Sequence, residues 1–352
     1  MSMGIRLFFQ KILPTKNILG IQRPYTYITL LTFGAALLLT ACGPDLALFN
    51  SPTDLYINSI ALTGNQSGFA VGLQPGQKRA VLLDLTANGW KADSNPPPIH
   101  QGDALTVVAT TSDTLRVGGI LTDAAHDNGT KVTGFVYTRG KDGVWNRKDF
   151  AAAINGMAFL DDNEGWAVGN SGAIYHFTQG IWKQTSTDMT FDLYGVAIRS
   201  PQSVWAVGDH GAFMQFDGTK WQDIPHFTHQ TLYSIAVTAD NGWAVGTDGT
   251  VVHWDNVKQE WYETVSPMTN AGRSVIFAGD NAWVVGDYGD VFQYTPDDQY
   301  WHKVKSPNHQ QFNTIARTPS GTLWVGGNFN QTSLLTYNST GWQAIPIPLS
   351  HG

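Results

Sequence analysis

Trp205-Ala206-Val207-Gly208-Asp209-His210-Gly211 decides the fold, because its first four residues return along the chain at nearly constant spacing. The same phrase reads Trp166-Ala167-Val168-Gly169, Trp243-Ala244-Val245-Gly246, Trp283-Val284-Val285-Gly286 and Trp324-Val325-Gly326-Gly327, and the steps between the tryptophans are 39, 38, 40 and 41 residues. A repeat of that length, rich in Trp, Val and Gly, suits a propeller blade of four short antiparallel strands. A single blade cannot bury both of its faces, so the repeat calls for neighbours on either side and a closed ring.

A second aromatic series runs out of phase with the first. Trp182, Trp221, Trp261, Trp301 and Trp342 follow the first tryptophan of their units by 16 to 18 residues. Toward the N-terminus, Phe69-Ala70-Val71-Gly72 pairs with Trp90, and Leu115-Arg116-Val117-Gly118 pairs with Trp145. The expectation is all-β: a seven-bladed β-propeller over 56–350, with blades near 56–92, 103–148, 153–185, 192–224, 231–265, 272–304 and 311–346. A Gly/Asp/Asn-rich insertion over 122–133 explains the wide step between Trp90 and Trp145. In the unit that holds Trp243, alternation predicts an inner strand at 232–238, a nearly continuous apolar second strand at 242–246, a tight turn at Thr247-Asp248-Gly249, and strands at 251–254 and 260–264.

The first 41 residues stand outside that pattern. They carry Arg6, Lys11, Lys16 and Arg23, no acid, and an apolar run over 28–39, shorter than the roughly 18–20 residues of a membrane span. The run ends in Leu39-Thr40-Ala41-Cys42. This resembles a bacterial lipoprotein signal, in which small residues admit the signal peptidase and the cysteine takes a lipid. The resemblance implies a leader over 1–41, lipidation at Cys42, a short tether to about residue 55 and an extracytoplasmic, membrane-anchored protein of the cell envelope. Cys42 is the one cysteine in the sequence, which excludes an internal disulfide and a thiolate metal cluster. Without the leader, 17 basic residues face 28 acidic ones, a formal charge of −11. A domain of that charge with no basic stripe is expected to bind no nucleic acid.

Catalytic signatures are absent. There is no His-Glu-x-x-His, Gly-x-Ser-x-Gly, phosphate-binding Gly-Lys-Ser/Thr or dinucleotide fingerprint. His176 and His253 each lie ten residues after a repeat tryptophan, in the slot that holds Gln215 and Gln293 elsewhere, so a structural hydrogen bond is the expectation for both. His226 and His229 lack a third ligand nearby in sequence, and neither a metal nor a cofactor is expected.

The slot at the start of each inner strand is more informative. Asn58, Leu105, Asn155, Tyr194, Tyr233, Arg273 and Asn313 stand just before the residue that opens the inner apolar run. A ring of blades would bring them together at the mouth of a central channel. The turns after the second strands would add His210 and Tyr288 on the same face. Asn58, Asn155, Tyr194, Tyr233, Arg273, Asn313, His210 and Tyr288 are therefore the candidate binding residues, and the competing reading is that they solvate the mouth or brace the ring.

Val204 to Gly211, with Phe216-Asp217-Gly218-Thr219-Lys220-Trp221, resembles the bacterial propeller repeat written Trp-Ala-Val-Gly-x-x-Gly-x-Ile-x-His-aromatic-Asp-Gly-x-x-Trp. The resemblance covers five units well and the first two loosely. Such repeats are similar to sialidase-type and photosystem II assembly-factor propellers. The sialidase box Ser-x-Asp-x-Gly-x-Thr-Trp is not intact, since Ser112-Asp113-Thr114 lacks the glycine and tryptophan, and no arginine-rich patch is evident among the seven arginines beyond the leader. The resulting expectation is a non-catalytic, monomeric, lipid-anchored platform for a protein or glycan, in one version an assembly or stability factor for a membrane complex. The alternative is a surface polysaccharide hydrolase or lyase, and a purely structural lipoprotein is a third reading.

Overall fold

The computed structural model describes residues 54–348 apart from 101–102, 112, 122–132, 225–227 and 330–332, all within one compact unit. Cys42 and the leader lie outside the described residues, as does His226. The described residues form twenty-eight strands, and no helix among them is long and apolar enough to cross a membrane. Consecutive strands pair antiparallel in four-strand meanders that span 55–92, 104–150, 154–185, 193–223, 232–264, 272–303 and 312–346. In the fifth meander the strands are Leu232–Val237, Gly242–Gly246, Val251–Asp255 and Glu260–Thr264.

The first strand of each meander lies beside the first strand of the next, and the last of them lies beside the first. The apolar core is divided in the same cyclic way. One cluster joins Trp205, Val207 and Phe213 of the fourth meander to Leu232, Val252, Trp254 and Trp261 of the fifth. Another joins Leu55, Ile57 and Leu83 of the first meander to Trp324, Leu334 and Ile347 at the far end of the chain. The architecture is a propeller-like ring whose core lies between sheets. At the closing seam, Leu55 and Tyr56 pair with Phe329 and Asn328, so the first and last meanders share one continuous eight-stranded sheet.

The repeat tryptophans serve these junctions. Trp166, Trp205 and Trp243 are almost wholly buried. Each meets aromatic rings of the following meander: Trp166 lies 5.2 Å from Trp221 at 82°, and Trp243 lies 5.0 Å from Trp301 at 76°. Edge-on rings of this kind bury a large area and add roughly 0.5–1.5 kcal/mol per pair beyond it. His176 and His253 stack on the tryptophan of the neighbouring strand at 4.0 and 3.9 Å, and each is also hydrogen bonded, to Glu164 at 2.7 Å and to Asn241 and Tyr262 at 3.0 Å. Both are structural groups of the junctions.

The second meander departs from the sequence reading. Strand pairing places Gly119 opposite Leu105, as Gly169 stands opposite Ile154, so Arg116, not Leu115, occupies the tryptophan slot. Its guanidinium takes over the flat stacking surface, 4.0 Å above the ring of Phe159 and 5.0 Å from that of Phe177 in the next meander. Nη2 donates to the Asp162 carbonyl at 2.9 Å. Burial pulls the guanidinium down to about 10 against the opposing charges of Asp162 and Asp161, a value that keeps it cationic at neutral pH.

The motif glycine has a steric cause. A Cβ on Gly208 would lie 2.0 Å from the Asp192 carbonyl oxygen, and one on Gly246 1.9 Å from that of Thr231. The second strand presses there against the entry of the inner strand, and only hydrogen fits.

Burial holds the His253 imidazole down at about 4, against an ordinary value of 6.5. The fold binds the neutral ring, with Nε2–H donating to Asn241 and Nδ1 accepting from the Tyr262 hydroxyl. Its contribution is complete above the unfolded value of 6.5 and is lost as pH falls from there toward 4. Discounted for partial exposure, the effect is roughly 1–2 kcal/mol. Thermal melts of His253→Gln, which restores the residue type found at 215 and 293, are expected to show a shallower loss of stability across that window than the parent.

Candidate functional site

Each inner strand carries an irregularity in its pairing with the second strand, and the residue skipped by the register is the same in every meander. The skipped residues are Asn58, Thr106, Asn155, Tyr194, Tyr233, Arg273 and Asn313. A bulge of this kind releases one residue from the ladder and re-aims its side chain. Sequence reasoning found six of the seven. In the second meander it named Leu105, which is buried and paired with Gly119, and Thr106 is the true counterpart. The one-residue slip at Arg116 has the same origin, since both follow from matching Gly118 instead of Gly119.

The seven residues divide into two arcs. In one arc the side chain reaches the next inner strand and donates to the carbonyl just before that strand's own bulge. Asn313 Nδ2 donates to the Ile57 carbonyl at 3.0 Å, Asn58 Nδ2 to that of Leu105 at 2.8 Å, and Asn155 Nδ2 to that of Leu193 at 3.0 Å, while Thr106 donates to the Ile154 carbonyl. Asn155 also bonds Asn170 in the turn after its second strand at 2.8 Å, and Asn313 bonds Asn328 near the end of its own second strand at 2.9 Å. Asn58, Asn155 and Asn313, expected as binding residues, therefore latch neighbouring strands together.

In the other arc the latch is replaced. Tyr194, Tyr233 and Arg273 follow one another around the mouth, with the tyrosine rings 5.8 Å apart and the guanidinium 4.6 Å over the Tyr233 ring. Arg273 is fixed by a bidentate pair with Asp287, at 2.9 Å from Nε and 3.1 Å from Nη2. Burial opposes its charge, but the bonds to Asp287 prevail and the guanidinium is held above its ordinary value. Burial pushes both phenols upward; the charges of Asp192 and Asp209 add to this at Tyr194, and at Tyr233 the Arg273 guanidinium opposes it while Asp287 and Asp209 reinforce it. They remain protonated donors at any physiological pH, and neither hydroxyl is hydrogen bonded among the described residues.

The turns complete this arc. His210 and Tyr288 occupy one slot in the fourth and sixth repeats, with Asp248 in the same slot between them, and have φ of 53° and 57°, a left-handed conformation that costs a non-glycine residue on the order of 1 kcal/mol. Tyr288 is 68% exposed. The His210 ring stacks on Phe191 at 4.7 Å and its Nδ1 lies 3.0 Å from the Asp209 carboxylate. Asp192 accepts from the Ser171 amide at 2.7 Å. Phe191, Asp192 and Asp209 escaped sequence analysis because they lie outside the inner strands, where only the turns can bring carboxylates to the mouth. The structure thus gathers Tyr194, Tyr233, Arg273 and His210 on one arc with Tyr288 beside it, in a setting that holds three phenols, two carboxylates and one neutralised cation.

No group of three or more His, Cys, Asp or Glu side chains suited to a metal ion occurs among the described residues. No family model and no curated protein sequence matches the chain. Solved structures do. A structure described as YCF48 bound to D1 peptide superposes with a TM-score of 0.60 at 16% identity, covering 79% of this chain and 91% of that one. YCF48 from Cyanidioschyzon merolae gives 0.63 at 15% identity, covering 83% and 98%. Virginiamycin B lyase from Staphylococcus aureus gives 0.61 at 14% identity, covering 79% and 93%. At these identities the likeness is one of fold. This chain has a β-propeller fold.

The latch assigns a definite role to Asn313. Asn313→Ala is expected to lower stability by roughly 1–2 kcal/mol, because a half-buried carbonyl and the Asn328 amide both lose a partner. Thermal melts beside exposed Asn88→Ala, which is expected to change nothing measurable, check this.

Proposed function

We propose that this chain is a seven-bladed propeller that acts without catalysis as a protein-binding platform, and that the arc of Tyr194, Tyr233 and Arg273 is its binding face. One observation carries the reading: three consecutive bulge slots lack the amide or hydroxyl latch that braces the rest of the ring. In a repeat, a structural position that departs from its own rule in a contiguous run of large, amphipathic side chains is a position used for something else. Tyr and Arg are also the residue types that dominate binding energy at protein interfaces. The half-buried phenols offer donors with no internal partner, Phe191 and Tyr288 extend the surface outward, and the ring beneath is rigid. Similarity in fold to a structure whose description names a bound peptide supports a polypeptide ligand.

We further infer that the platform is extracytoplasmic and held at the cell envelope by a lipid on Cys42, as the lipobox-like Leu39-Thr40-Ala41-Cys42 implies. In this reading residues 42–55 form a tether and the propeller works as a monomer against a membrane protein or its complex. Cys42→Ser is expected to move the protein from the membrane pellet to the soluble fraction on fractionation of its native cells.

A polysaccharide hydrolase or lyase is the second reading. It is favoured by the carboxylates of Asp192 and Asp209, which the turns bring beside two phenols and His210. The two readings separate in one experiment. Captured from gently solubilised native membranes, the lipidated protein is expected to retain a polypeptide partner that a Tyr194→Ala/Tyr233→Ala/Arg273→Ala variant, shown to melt normally, loses. Equal recovery by both proteins would place the interaction elsewhere on the ring. Absence of any polypeptide, with turnover of a polysaccharide that Asp209→Asn abolishes, would replace the platform by the enzyme.

A further inference from the structure

Away from the mouth, a groove of about 450 Å³ runs between the fifth and sixth meanders on the outer side of the ring. Tyr262 stands on one side, and Tyr294 and Tyr300 stand on the other, over a floor that includes His253 and Trp301. We propose that this groove is a binding site for a neutral pyranose residue of a glycan. It is separate from the face assigned to a polypeptide and does not depend on that assignment.

The groove departs from its own repeat. Tyr262 lies opposite His253 on the outermost strand, and the corresponding slots elsewhere hold Lys91, Asn146, Lys183, Gln222, His302 and Gln343. A water-facing outer strand is expected to carry such polar residues, and the fifth meander carries an aromatic ring. Tyr300 is 55% exposed and Tyr262 38%, and the adjoining Val265 is 94% exposed. Apolar surface is therefore concentrated on both walls of a concave feature, where isolated exposed residues would need no explanation.

The lining chemistry selects the ligand class. A pyranose presents an apolar C–H face and a rim of hydroxyls, each both donor and acceptor. Aromatic walls with a small number of convergent polar groups match that pattern. Asp240 and Asn241 are adjacent on the rim. The Asp240 carboxylate makes no hydrogen bond among the described residues, and Asn241 uses its Oδ1 for His253 and the Gly242 amide, which leaves its Nδ2 as a donor. An acceptor and a donor side by side suit two neighbouring hydroxyls. The hydroxyls of Tyr294 and Tyr300 are likewise not hydrogen bonded to described residues.

Charge narrows the class to neutral sugars. Asp240 and Asp255 line the groove and no Lys or Arg does; Asp255 is paired with Lys258 at 3.5 Å, and the Asp240 carboxylate is left to oppose a uronate or sulfated sugar. The Tyr262 ring is also held in place, because its hydroxyl donates to His253 Nδ1 at 3.0 Å and His253 is stacked flat on Trp243. A platform fixed before the ligand arrives loses little side-chain freedom on binding.

Titration of the whole chain with cellohexaose, maltohexaose and chitohexaose, followed by intrinsic tryptophan fluorescence and by calorimetry, tests this. Saturable binding of at least one of the three is expected, weakened about tenfold or more by Tyr300→Ala and by Asp240→Ala. Both residues are at or near the surface, and normal melts would show that the variants fold. The Tyr194→Ala/Tyr233→Ala/Arg273→Ala protein is expected to bind the sugar as the parent does, so failure of the polypeptide reading leaves this result unaffected. No saturation with any of the three sugars overturns the proposal. So does tighter binding of polygalacturonate than of the neutral sugars, or binding that survives both groove substitutions.

Discussion

The ring depends on one residue in each inner strand that the pairing ladder omits. Because it is omitted, its side chain turns out of the sheet toward the next meander, and because its position recurs in every repeat, the same contact can be made all the way round. Four of the seven contacts are hydrogen bonds to the carbonyl that precedes the next bulge, so each irregularity is fastened to the following one. The glycine that ends the Trp-x-Val-Gly phrase lies across the ladder from that site, where a methyl group would strike a backbone oxygen. Bulge and glycine are therefore two halves of one steric arrangement, and the tryptophans fill the wider space that it leaves toward the rim.

Braced this way on one side, the ring can use different residues on the other. Tyr194, Tyr233 and Arg273 keep the spacing of the latch residues but pack against one another, and they are held there by ring contacts and by the Arg273–Asp287 pair. The arrangement separates the work of holding the ring shut from the work of presenting a surface. A similar division holds at the rim, where His253 and Tyr262 belong to the junction and the groove at once.

Most of the architecture was legible in the sequence because a tryptophan–glycine phrase recurring about every 40 residues leaves few alternatives. The inner strands and the turns of the five regular repeats could be placed from alternation and from Asp-Gly turn chemistry alone. The second repeat misled by one residue, since Arg116 stacks as tryptophan does but does not look like it in a sequence, and Gly118 and Gly119 offer two registers. The candidate residues were visible as a series, but not their division. An asparagine that latches two strands and one that awaits a ligand are identical until the carbonyl 2.8 to 3.0 Å away is seen. Asp192 and Asp209 were missed because they reach the mouth through turns, whose geometry periodicity does not encode.

The closing seam has a consequence for the order of events in folding. Leu55 pairs with Phe329, and the Asn313 latch to Ile57 spans 256 residues of chain. As the chain is made, the first meander keeps an exposed apolar flank, with Leu55, Ile57 and Leu83 lacking their cover until Trp324, Leu334 and Ile347 arrive. A topology that pairs segments so far apart along the chain folds slowly and leaves an open strand edge until the later segment is made. Loss of the segment over 323–347 would therefore reopen the molecule at the seam and expose the first meander to aggregation, an effect out of proportion to the number of residues removed.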